Sequence, residues 1–249
     1  MNNRFTVVIP FYNAEDFVER SLFSVLTQKY KDFNIVLIND GSTDSSDEKI
    51  KIIISDFGDK ITYIKNEKRL GAMHNHQMAV FNYCEPNDIV IHLDGDDWLS
   101  DKKVLSYIND FYNEHNCLMM YGQAKYLSGR DGNAKPYTSK EEFENKRNIF
   151  QFYISHIRTF RAFLFHEIKN QDPELKCFKN KNDEWYSMTC DVAMMYPLME
   201  ICGYEKMKYN DKVLYIYNDS NPIQDFKIDL QLQESIHREI LSKEPFIQI

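Results

Sequence analysis

Short apolar runs alternate with helical spacings through the first hundred residues. Phe5–Ile9, Asn34–Ile38, Ile61–Ile64 and Ile89–Leu93 are each bounded by turn residues or charges, the pattern of short buried strands. Between them, Ala14–Gln28, Ser45–Phe57 and Met73–Cys84 carry apolar residues at helical spacing, as do Phe17, Leu22, Val25 and Leu26 in the first. Asp44, Ser45 and Ser46 offer capping oxygens to the second helix. Strand–helix–strand alternation predicts an α/β fold, a mostly parallel central sheet with helices on its faces. Ligands of such sheets bind beyond the carboxyl ends of the strands. Pro10–Asn13, Asn39–Asp44 and Asp94–Asp97 each follow a predicted strand, so the topology gathers them on one edge.

Beyond residue 100 the pattern loosens. A helix is expected over Lys103–His115 and a strand over Leu118–Tyr121. Ser128–Asn148 is polar, with Gly129, Gly132 and Pro136, and reads as a mobile loop rather than core. An aromatic-rich stretch, Phe150–Phe165, leads into a charged segment ending near Lys181. A helix from Asp191 to about Cys202, a strand at Val213–Tyr217 and a polar helix over Asp229–Ser242 complete the chain. With 43% hydrophobic residues in 249, one large domain has enough apolar material for a sizeable core.

A net charge of −8 argues against a nucleic-acid partner, whose phosphate backbone needs a basic surface, but leaves room for a local nucleotide pocket. Cys84, Cys117, Cys177, Cys190 and Cys202 form no CxxC pair, and an odd count without metal spacing reads as reduced thiols in a cytoplasmic setting. The start of the chain carries no signal-peptide pattern. No segment approaches the roughly 20 apolar residues of a membrane span, so no transmembrane segment is expected.

The run Ile89-Val90-Ile91-His92-Leu93-Asp94-Gly95-Asp96-Asp97 ends an apolar strand in three carboxylates within four positions. Their mutual repulsion needs compensation, and a divalent cation carrying a diphosphate supplies it through oxygen ligands. A plain Asp-Gly turn is the alternative. Asp40 lies in a second Asp-Gly turn, suited either to accept a base N–H or to stabilise the turn itself. Tyr12 is placed either to stack on a nucleobase or to pack on the surface. Asp44 reads as a helix cap. His74 and His76, two apart on a helix, point in different directions and are no metal pair.

Val7-Val8-Ile9-Pro10-Phe11-Tyr12-Asn13, Asn39-Asp40-Gly41-Ser42-Thr43-Asp44 and Asp94-Gly95-Asp96-Asp97 resemble, in order and spacing, the family 2 glycosyltransferases. The resemblance is strong over residues 5 to 100 and weaker over 185 to 220. It implies a GT-A fold and a nucleotide-diphosphate sugar donor of the UDP-sugar kind. It also implies one catalytic domain over 1–249, with a nucleotide-binding half (1–100) and a less regular acceptor-side half (101–249). By resemblance, Pro10, Tyr12 and Asp40 contact the nucleotide. Asn66 to Asn75 is similar to the family's Asn…Gly…Ala-Arg-Asn stretch, which makes Gly71 and Asn75 nucleotide contacts, with His74 standing where the family has Arg. Asp94-Gly95-Asp96 matches the DxD motif, implying Asp94 at ribose or metal, Asp96 as ligand of Mn2+ or Mg2+, and Asp97 behind them.

Glu184 to Ala193 looks like the family's Glu-Asp segment before a helix, with Cys190 in place of Glu. Asp191 is then the base that deprotonates an acceptor hydroxyl for inverting transfer; as a residue by itself it reads rather as a helix cap. The resemblance leaves the acceptor unidentified. His156, Arg158, Arg161 and the pair Trp185-Tyr186 are candidates for its wall, and Tyr217–Asn221 for a loop closing over the diphosphate. Two rival readings are a sugar nucleotidyltransferase and a nucleotide-sugar-binding module without turnover. The first lacks its Gly-rich, Lys-containing loop here, where Pro10-Phe11-Tyr12-Asn13 stands instead.

Overall fold

The apolar runs at 5–9, 34–38 and 89–93 form strands buried on both faces, as parallel strands covered by helices must be, while Ile61–Ile64 lies in a partly exposed edge strand. A computed structural model describes residues 2–221 and 229–249. In chain order the elements are β1 (Phe5–Phe11), α1 (Val18–Leu26), β2 (Phe33–Asn39), α2 (Ser46–Phe57), β3 (Ile61–Lys65), α3 (Ala72–Tyr83), β4 (Ile89–His92) and β5 (Trp98–Leu99). There follow α4 (Val104–His115), β6 (Met119–Tyr126), α5 (Lys140–Glu144), β7 (Arg158–Arg161), α6 (Ala162–Gln171), α7 (Cys190–Cys202), β8 (Met207–Tyr217) and α8 (Leu230–Leu241).

The described strands join in one sheet in the order β3-β2-β1-β4-β7-β6-β8-β5. β3, β2, β1 and β4 run parallel, and β6 is parallel to β8. β7 is antiparallel to both β4 and β6, and β5 to β8. The expected mostly parallel sheet is therefore present, with an antiparallel strand set into its middle. Alternate residues of β1 feed two cores: Val8 packs on one face, Phe5, Val7 and Ile9 on the other. α1 buries Val18, Ser21, Leu22 and Val25, a stripe at helical spacing. α7 is buried almost all round, as an apolar helix between sheet and outer layer must be.

Two expectations change. Ser128–Asn148 is packed rather than loose: Ala134, Tyr137, Phe143 and Lys146 are buried, and Tyr137 lies 4.8 Å from Tyr153 and 5.4 Å from Phe143 between ring centroids. Scattered aromatics anchor a segment whose average polarity concealed them. The aromatic-rich stretch contains β7, whose register sets Arg158 opposite His92 on one side and Tyr121 on the other. That pairing brings the second half of the chain to the end of β4.

Candidate active site

The carboxyl ends of the parallel strands meet in register, Phe11 opposite Asn39 and Asn39 opposite Lys65, so the loops after β1, β2 and β4 share one edge. Gly95 N–H donates to Pro10 O at 3.1 Å. A Cβ on Gly95 would collide with Phe11 Cβ, so a glycine between the acids lets this turn fold onto the end of β1.

Asp40 is buried and its carboxylate organises a neighbouring loop. Oδ1 accepts from Asn66 Nδ2 and Leu70 N, both at 2.8 Å, and Oδ2 accepts from Gly71 N at 2.9 Å. Burial would raise its pKa, but the Asn75 amide, Leu70 N–H, Asn66 amide and Gly71 N–H together hold it below the usual carboxylate range. Gly41, at φ +74°, leaves space for that loop: a Cβ would stand 2.8 Å from Lys68 carbonyl carbon. Gly71, at φ +90°, precedes α3, and Asn75 Oδ1 accepts from Asn66 Nδ2 at 2.8 Å. Tyr12 stands at the same edge with the Arg69 guanidinium 4.4 Å from its ring centroid. Asp44 stands before Ser45, the N-cap of α2, its Oδ1 accepting from Ser46 N at 3.1 Å and its Oδ2 from Glu15 N at 3.0 Å.

The three acids diverge in their surroundings. Asp97 is buried; its Oδ2 accepts from Tyr215 OH at 2.7 Å and its Oδ1 from Asn218 N at 2.6 Å. Burial, then the charges of Asp96 and Asp94, push its pKa well up. The same tyrosine hydroxyl accepts from Asp94 N at 3.2 Å. Asp96 accepts from Asn221 Nδ2 at 2.7 Å, and burial raises its pKa against that hydrogen bond. The polar loop after β8 thus lies against the acids. Tyr215 itself stacks on His156, ring centroids 4.3 Å apart.

Ligand atoms of Asp94, Asp97 and His156 lie within 4.8 Å of one another, close enough to share a cation. Asp96, expected as a ligand, is not one of these three. Two carboxylates and one imidazole fit manganese better than magnesium, which prefers oxygen alone. The Asp96 and Asp94 charges that help raise the Asp97 pKa are the electrostatic counterpart of that fit, since a cation would relieve them. His156 was legible only as part of an acceptor wall; it becomes a candidate ligand because β7 is set beside β4.

Asp191 sits in the first turn of α7, preceded by Thr189 in the left-handed region at φ +60°. Its Oδ2 accepts from Arg158 Nη2 at 3.0 Å, and the same nitrogen donates to His156 Nε2 at 3.0 Å. The carboxylate is thus paired with Arg158. Behind it, His76 and His92 stack at 4.0 Å; burial and then the Arg158 charge push His76 down to about 3, and His92 is likewise driven well down. Other wall candidates separate. Trp185 is half-buried against His74, centroids 5.8 Å apart, whereas Tyr186 is buried in the core with its hydroxyl donating to Glu239. Arg161 lies at the far end of β7, bonded to Asn87 O and Asn3 Oδ1.

The sequence pattern of one family spans this edge: the family described as glycosyl transferase family 2 matches residues 6–169. The chain belongs to glycosyl transferase family 2. It is 32% identical over 111 residues to a teichoic acid poly(glycerol phosphate) polymerase of Staphylococcus epidermidis, covering 45% of this chain and 15% of that one. Against the glycosyltransferase GlyA of Streptococcus pneumoniae it is 26% identical over 237 residues, 87% of this chain and 31% of that one. The chain therefore spans less than a third of either relative's length. S. aureus TarS 1–349, solved with UDP-GlcNAc, superposes with a TM-score of 0.62 at 21% identity over 87% of this chain and 58% of that one. GalNAc-T7, solved with UDP, GalNAc and Mn2+, gives 0.60 at 15% identity over 96% and 48%. These likenesses establish the GT-A fold for this family 2 chain. Among the described residues no helix is long and apolar enough to cross a membrane.

Proposed function

We propose that this chain is a metal-dependent, inverting glycosyltransferase that moves a sugar from a UDP-sugar to an acceptor hydroxyl. The carrying observation is the meeting, on one sheet edge, of the Asp94, Asp97 and His156 cluster with Asp191, joined through Arg158. The nucleotide lies along Pro10, Tyr12 and the loop that Asp40 holds, with Gly71 and Asn75 at its phosphate side. Asp94 and Asp97 would hold the cation, with Asp96 adding negative charge to the same corner, and His156 would join them only by releasing Arg158 from its Nε2. Such a cation neutralises charge on the leaving diphosphate. The acceptor oxygen attacks the anomeric carbon on the face opposite the diphosphate. The bond from that carbon to the phosphate oxygen breaks and its electron pair leaves with the UDP. The acceptor proton passes to Asp191 Oδ1. One displacement inverts the anomeric centre.

TarS with UDP-GlcNAc, and the Mn2+ complexes of GalNAc-T7 and of the Pyrobaculum calidifontis mannosyltransferase solved with GDP-Man, support donor and metal classes in proteins of this fold. Five free thiols, four buried, suit the reducing cytoplasm in which nucleotide sugars are made.

Nucleotide release from a panel of UDP- and GDP-sugars, with proton NMR of the sugar product, tests the reading. Manganese-dependent release from one donor with an inverted anomeric centre is expected; no release from any donor, or retention, overturns it. Tyr215→Phe removes the hydroxyl that holds Asp97 and faces Asp94, and lost outer partners of metal ligands typically cost about 10- to 100-fold in affinity. Calorimetric titration with Mn2+ should register that loss, and an unchanged affinity would place the cation elsewhere.

A further inference from the structure

We propose that Arg158 is a positioning residue for Asp191, a single guanidinium that fixes the base carboxylate relative to the metal corner. The inference rests on the reading of Asp191 as the base. Arg158 is held on β7 between β4 and β6, with its side chain 11% exposed. The two hydrogens of Nη2 lie in the guanidinium plane, and the nitrogen stands 3.0 Å from both Asp191 Oδ2 and His156 Nε2. One nitrogen therefore sets the distance between His156 and the base.

The charge has one direction to act in. His76 beside it is kept neutral by burial first and by Arg158 itself second. Among the described residues its ion pair is with Asp191. That pair occupies Oδ2, while Oδ1 accepts no hydrogen bond among the described residues and the Asp191 side chain is 34% exposed. Arg158 thus selects which oxygen faces the acceptor. A lysine would keep the charge but lose the fixed in-plane directions.

The test is a double-mutant cycle on Arg158→Gln and Asp191→Asn, with Arg158→Lys alongside, read as kcat and KM on the donor the wild-type protein turns over. Misplacement of a reacting group by about 1 Å costs about 10²-fold, so Arg158→Gln should lower kcat by that order. Donor KM should hold, and Arg158→Lys should fall between. The double variant should be no slower than Asp191→Asn alone, because Arg158 acts through that carboxylate. Losses that multiply, a wild-type rate in Arg158→Gln, or a loss confined to Mn2+ affinity would each overturn the proposal while leaving the base in place. Wild-type turnover by Asp191→Asn would remove the base reading and this inference together.

Discussion

Asp191→Asn is expected to abolish transfer while leaving donor binding and the fold in place. General-base catalysis typically contributes about 10²–10⁴-fold, which sets the expected fall in kcat. The amide oxygen of Asn can still accept from Arg158, so the geometry survives while the proton acceptor is lost. A purely structural Asp191 would behave differently. Its carboxylate caps no N–H of α7 among the described residues but pairs with Arg158, so destabilisation at an unchanged rate is not the pattern this arrangement leads to. Steady-state kinetics, donor titration and a thermal melt on the same preparation check the three parts. Weakened donor affinity with unchanged transfer would argue that Asp191 is structural.

Glu200→Ala should cost about 3–5 kcal/mol of stability, the scale for removing one partner of a buried ion pair. Glu200 lies in the last turn of the apolar helix α7, its side chain 3% exposed. Its oxygens accept from Arg147 Nε at 2.6 Å and Nη2 at 2.9 Å, with Lys146 Nζ at 3.6 Å and Phe246 N at 3.0 Å. Arg147 Nη1 also donates to Ile240 O at 2.8 Å. One carboxylate therefore ties α7 to the 146–147 turn, the end of α8 and the C-terminal segment, and truncating it leaves two sheltered cations unmatched. Denaturant unfolding of the variant measures the loss; a midpoint at the wild-type position would show that the cluster relaxes to water at no cost.

The same cluster explains where the sequence stops being readable. β1, β2 and β4 are legible because a parallel strand buried on both faces must be apolar throughout, and their ends place Pro10, Asp40 and Asp94 without further information. Asp44 is legible because its bond to Ser46 N is local, decided within two residues. Residues 134–148 are not, because Phe143 packs against Tyr204 and Lys146 pairs with Glu200, partners far along the chain. β7 is four residues long, and Arg-Thr-Phe-Arg carries no alternation that marks it as a strand. Its insertion beside β4 is what turns His156 and Arg158 from wall candidates into neighbours of the acids, and what carries Arg161 to the opposite end. Tyr215 sits within a strand the sequence does predict, but its hydroxyl contact with Asp97 spans 118 residues and depends on sheet order alone.

The most direct measurement is calorimetric titration of the intact chain with UDP-GlcNAc, UDP-glucose, UDP-GalNAc and GDP-mannose, each with and without Mn2+. A UDP-sugar that binds in the presence of manganese, and loses that binding when the metal is chelated or Asp97 is changed to Asn, is the expected result. Binding of no nucleotide sugar under either condition would contradict the assignment of this sheet edge as a donor site.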